Sequence, residues 1–161
     1  MEPPPIPIKE VPVSSTGQTL IAKACEKHWN AHKDNCSGFV KAVAAEIGIF
    51  LPDKQANEII DYISPWAMAS WWKIGSPKDA GLLAEEGYFV LACLESKQIT
   101  LPSGNGHVAV VTSGYRAGKG NSPRGYWGAH KSVGKKNATM NYSFSTADIH
   151  KVTYYRCMWK R

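Results

Sequence analysis

The hydrophobic pattern of the chain changes character once, at Gly87, and that change limits the folds open to it. Before Gly87, apolar residues recur at helical spacing; after it they run continuously or alternate. Cys36, Phe39, Val40, Val43, Ala44 and Ile47 stand at offsets 0, 3, 4, 7, 8 and 11, one apolar stripe at period 3.6. Asp34 or Asn35 can cap the start of that helix, and Gly48 followed by Pro52 can end it. Further helices are expected over residues 18–29, with Leu20, Ile21, Ala24 and Cys25 on one side, and over 54–63, burying Ala56, Ile59, Ile60 and Ile63. Another opens at Ser76-Pro77, an N-cap with proline at the first helical position, and runs to about Glu86. The polar stretch 30–35 breaks the pattern, and Pro65 starts a short aromatic segment whose Trp66, Trp71 and Trp72 read as packing a helix.

Past Gly87, residues 88–94 form an apolar run that suits a central strand. Residues 107–112 are a β-branched strand with His107, Ala109 and Val111 on one face. Residues 126–130 and 151–159 are further strands; in the last, Val152, Tyr154, Arg156 and Met158 alternate with Thr153, Tyr155, Cys157 and Trp159. Eight of the 14 glycines lie between Gly104 and Gly134, the texture of hairpins and loops. Helices followed by strands make an α+β domain. The 161 residues suit one domain, here 16–161, behind a proline-rich flexible tail at 1–15 in which Pro3, Pro4, Pro5, Pro7 and Pro12 exclude regular structure.

Charge is unevenly spread. The balance is 19 − 13 = +6, yet no Asp or Glu occurs from Ser96 to Ala147, where Lys97, Arg116, Lys119, Arg124, Lys131, Lys135 and Lys136 fall. Such a surface favours an anionic partner such as nucleic acid, acidic lipid or an acidic wall polymer; it also serves simply as a solvated face. No apolar run approaches ~18 residues, so no helix is expected to span a membrane. The start Met1-Glu2-Pro3-Pro4-Pro5 lacks the features of a secretory signal. Four cysteines are too few for a disulfide scaffold.

Cys36 opens the best helix. Free N–H groups at a helix start favour thiolate over thiol, and the same groups can face a developing oxyanion. A small buried hydrophobe is the plainer role for such a cysteine. His107 leaves the loop Ser103-Gly104-Asn105-Gly106 directly into a strand, where it can serve a thiol as base if the fold brings the two together. His28, His32 and Cys36 are spaced by four like ligands on one helical face, an arrangement open to zinc, although the polar break and the missing fourth ligand oppose it. Gly118-Lys119-Gly120 matches no nucleotide fingerprint. Asn35-Cys36-Ser37, Asn137-Ala138-Thr139 and Asn141-Tyr142-Ser143 fit the glycosylation pattern, which carries little weight without a secretory signal.

The segment Lys33-Asp34-Asn35-Cys36-Ser37-Gly38-Phe39-Val40, with Val43-Ala44-Ala45-Glu46-Ile47-Gly48, resembles the nucleophile helix of NlpC-type papain-like amidases, above all the first family of type VI secretion amidase effectors. Gly87-Tyr88-Phe89-Val90 and Gly106-His107-Val108-Ala109-Val110-Val111 resemble that family's two central strands, and the polar stretch 57–61 has a counterpart there. The likeness extends over about residues 22–113. It implies a papain-like NlpC-type α+β fold, with N-terminal helices packed on a C-terminal antiparallel sheet. It also implies hydrolysis of the γ-D-glutamyl–meso-diaminopimelate bond of the peptidoglycan stem peptide, with no cofactor or metal. Cys36 is then the nucleophile and contributes its own N–H to the oxyanion hole; His107 is base and then acid. A main-chain carbonyl at Trp127 is the implied third member, with His130 nearby, and Cys25 and Cys157 are a pair that an oxidising periplasm could bridge. The resemblance further implies a monomer delivered without a signal peptide to the periplasm of a rival Gram-negative bacterium. A periplasmic immunity protein would block it, and neither nucleic acid nor membrane would be a partner. The proline-rich leader has no counterpart. Two other readings keep part of this picture: a phage or housekeeping wall hydrolase, and a non-catalytic basic module that binds wall polymer or nucleic acid.

Overall fold

The computed structural model describes residues 15–65, 70–100, 104–114 and 122–160. Trp66, Ser103 and Gly118-Lys119-Gly120, and all of the proline-rich leader except Ser15, lie outside them. Three helices come first, α1 (Ser15–His32), α2 (Cys36–Glu46) and α3 (Ala56–Ile63). They are followed by β1 (Trp71–Ile74), α4 (Pro77–Glu85), β2 (Tyr88–Leu94), β3 (His107–Ser113), β4 (Arg124–Trp127), β5 (Lys135–Thr139) and β6 (Thr153–Lys160). The strands form one antiparallel sheet in the order β1-β6-β2-β3-β4-β5. The expected α+β architecture, with N-terminal helices on a C-terminal antiparallel sheet, is what the chain adopts.

Why the apolar run at 88–94 is continuous is visible in the layers. Phe89, Leu91 and Cys93 join Val108, Val110, Phe39, Val40 and Val43 in the core beneath α1, α2 and α3. Tyr88, Val90, Ala92 and Leu94 join Ala109, Val111, Ala80 and Ala84 in a second core on the other face. Both faces of β2 are covered, so all seven of its residues are buried. A side chain such as Phe39, with no exposed surface, contributes about 3–5 kcal/mol against truncation to alanine. One helix departs from the expected order: α4 follows β1 and packs on the face away from the other three.

Four sequence expectations differ in extent. The first helix continues through Asn30 to His32, because its last turns have tertiary partners. The Trp29 indole N–H donates to the Trp127 carbonyl (3.1 Å), and Lys27 and His28 both reach Glu46 of α2. Trp71 and Trp72 sit in β1 rather than on a helix; the Arg156 guanidinium stacks 4.9 Å over Trp72. Strand β4 stops at Trp127, since Gly128 runs so close to the loop between α1 and α2 that a Cβ there would overlap the His32 and Asn35 carbonyls. The polar edge strand β5 carries no hydrophobic alternation and was not expected.

Candidate active site

The capping of α2 decides which N–H groups are free. Asn35 is the N-cap; its Oδ1 accepts from the Gly38 N–H at 2.9 Å, and its carbonyl accepts from Phe39 N–H. That leaves the N–H groups of Cys36 and Ser37, and both act to lower the pKa of the Cys36 thiol. A third comes from across the core, where Val108 of β3 donates its N–H to the same sulfur. The nucleophile candidate therefore touches the residue that follows His107. Ser37, buried beside it, lies 3.2 Å from both Asn35 Oδ1 and Gln55 Oε1, so its hydroxyl ties the helix start to the foot of α3.

Cys36 is 7% exposed. Burial raises the thiol pKa, and the three N–H groups lower it by less. The expectation that the helix start alone would hold a thiolate is corrected here: desolvation outweighs the backbone donors. His107 shows the complementary effect. Burial lowers its ring pKa to about 4, so the imidazole is neutral at pH 7. A protonated thiol and a neutral imidazole are the states from which a proton can pass from one to the other during attack, rather than a standing ion pair.

The His107 ring lies on the face opposite Val108, as alternation along β3 requires. It packs edge-on to Phe144 (5.0 Å between centroids), and Nε2 is 2.6 Å from Ser143 Oγ. Among the described residues no hydrogen bond joins His107 to Cys36. Two cavities of about 350 Å³ each open on the imidazole. One is apolar, walled by Leu94, Ile99, Phe144 and Ala147. The other is basic, with Trp127, His130, Lys131 and Lys135. Behind the ring, Gly106 is pressed between Asn57 Oδ1 and the Leu94 carbonyl, a gap that no Cβ could enter. Asn57 also accepts from the Ser96 N–H and donates to its hydroxyl, joining α3 to the end of β2.

The other sequence candidates are distributed as follows. Trp127 and His130 line the same cleft as His107, but the Trp127 carbonyl is turned to the Trp29 indole. All four cysteines are thiols, so no Cys25–Cys157 bridge is formed. Cys25 lies on α1 and Cys157 on β6, both buried in the core beneath the first three helices. His28, His32 and Cys36 do not converge: His28 bonds Glu46, and among the described residues no three metal-ligating side chains gather. Ser143 was missed. It lies 36 positions from His107, inside a triplet whose only sequence signal is the glycosylation pattern.

No family model matches the chain. It is similar to the peptidoglycan amidase Tse1 of Pseudomonas aeruginosa, 39% identical over 101 residues that cover 58% of this chain and 59% of that protein. The chain thus spans about three-fifths of the length of this relative, and the resemblance to a peptidoglycan amidase is borne out at that level.

Proposed function

We propose that the protein is a cysteine-type peptidoglycan amidase of papain-like mechanism, cleaving the γ-D-glutamyl–meso-diaminopimelate bond as an antibacterial type VI effector. The observation that carries this reading is the Cys36 thiol at the start of α2, whose pKa is lowered against burial by three backbone N–H groups, one of them from the residue next to His107. The similarity to a protein named a peptidoglycan amidase supports the substrate class.

In this reading Cys36 Sγ attacks the glutamyl γ-carbonyl carbon as His107 takes the thiol proton. Negative charge develops on the carbonyl oxygen where the helix start offers the Cys36 N–H. With Nε2–H donated to Ser143 Oγ, Nδ1 is the basic nitrogen, and Ser143 does the orienting that a third group does in such sites. The imidazolium then protonates the departing diaminopimelate amine, leaving a thioester that water hydrolyses. This reading requires a sulfur–imidazole hydrogen bond to form when substrate fills the cleft, as catalytic hydrogen bonds can be long before substrate binds. Delivery to a rival's periplasm and restraint by an immunity protein belong to the same proposal.

Mass spectrometry of purified diaminopimelate-type muropeptides tests it. Cys36→Ala and His107→Ala should each abolish release of diaminopimelate-bearing fragments while the circular dichroism spectrum stays native. Cleavage by folded Cys36→Ala protein would overturn the nucleophile assignment.

A further inference from the structure

The second half of the chain is basic, and three of its lysines are paired with acids. Lys136 pairs with Glu26, Lys151 with Asp148 and Lys97 with Glu95. Lys131 and Lys135 differ: among the described residues neither has a carboxylate partner. Both line the basic cleft at His107, and no Asp or Glu shares that wall. Lys135 rests 5.8 Å over the Tyr142 ring, which also faces the cleft. Lys131 sits at φ 61°, a left-handed conformation unusual for a residue with a side chain. Its loop is anchored at both ends to one atom beside the nucleophile helix, the Lys33 carbonyl, by the N–H groups of Ala129 (3.0 Å) and Gly134 (2.7 Å). Two uncompensated ammonium groups are thus held beside the base on a fixed loop and a neighbouring strand.

A γ-linked glutamate reacts through its side-chain carbonyl and keeps its α-carboxylate free, four bonds from the carbon under attack. From the proposed amidase reading, on which this step rests, we infer that Lys131 and Lys135 bind that α-carboxylate and make the enzyme selective for stems in which it is ionised. A carboxylate entering this cleft meets two cations and no competing acid. An amidated residue, isoglutamine, would present no charge to them.

Paired muropeptides, identical except for a free or amidated glutamate α-carboxyl, test this. The wild-type protein should favour the free acid by about tenfold or more in kcat/KM, expressed in KM. A Lys131→Gln, Lys135→Gln double variant should lose that preference, and Lys131→Arg, Lys135→Arg should keep it. Should the glutamine variant fail to fold, the wild-type protein still decides: added salt should raise KM for the free acid and leave the amide unaffected. Equal cleavage of the two substrates by wild type, or a preference that survives the glutamine variant, overturns the inference. Cleavage of either substrate by Cys36→Ala sinks the amidase reading itself, a separate result.

Discussion

Cys93 lies opposite Val108 across the β2–β3 ladder, and Val108 donates its N–H to Cys36, so two buried thiols share one neighbour. Their surroundings differ in one respect. Cys93 stands within β2, one residue from its end, where backbone donors are consumed by the ladder; burial and then Glu95 push its pKa far up. Cys36 stands where a helix begins, so burial is opposed by three N–H groups. Both sulfurs are buried, Cys93 the more completely, and only at Cys36 do backbone donors oppose the effect of burial. The His107 side extends the contrast. There burial acts on a base, and by disfavouring its charged form it keeps the ring able to accept a proton.

The largest test of this contrast is a pair of substitutions. Cys36→Ala should reduce muropeptide cleavage by at least about a thousandfold. Cys93→Ala should leave turnover near wild type and lower the unfolding free energy by the cost of a small cavity, about 1 kcal/mol. Comparable activity losses in the two would erase the distinction.

Next in size is thiol reactivity. Iodoacetamide should modify Cys36 in the native protein, slowly at pH 7 and faster as pH climbs past its raised pKa, whereas Cys93 should react only after unfolding. Peptide mapping of time points reads this directly, and native-state labelling of Cys93 ahead of Cys36 would contradict it.

The pH dependence is the third test. His107 titrates at about 4 when folded against 6.5 when free. Between those values the unfolded chain binds a proton that the folded chain does not. Stability should therefore fall as pH drops from 6.5 towards 4, with no contribution from this ring above 6.5. The base works only when neutral, so the acid limb of activity belongs near pH 4 rather than 6.5. Denaturant titrations of wild type and His107→Ala should differ in slope in that window, and identical slopes would refute the burial argument.

The smallest expected effect concerns the cap that assigns the N–H groups. Asn35→Ala removes the bond to Gly38 and should cost about 1 kcal/mol in chemical denaturation. An unchanged midpoint would show that the cap does not hold the helix start.

Much of the scaffold was legible because it is written in periodicity. The stripe from Cys36 to Ile47 and the unbroken run 88–94 each identify an element and the number of its covered faces. Ser76 and Asn35 cap where turn chemistry says they should. The elements that escaped are those whose stability comes from elsewhere. Strand β5 is polar and held by β4, the end of α1 is held by Trp127 and Glu46, and Trp71 reads as strand only once β6 is beside it. In the site, Cys36 and His107 each carried a local signal, a helix start and a strand start. Ser143 carried none, because what it does depends on an imidazole 36 residues away.

By itself the order of residues determined the two textures, the placement of the thiol at a helix start and of the imidazole at a strand start, and the acid-free second half. Only the tertiary structure decided that the thiol rests protonated, that the imidazole rests neutral and bonded to Ser143, and that Lys131 and Lys135 face the cleft without an acid beside them. Periodicity and capping are short-range and survive in one dimension. Desolvation and charge pairing depend on which distant segments cover a group, and that is settled only when the sheet closes beneath the helices.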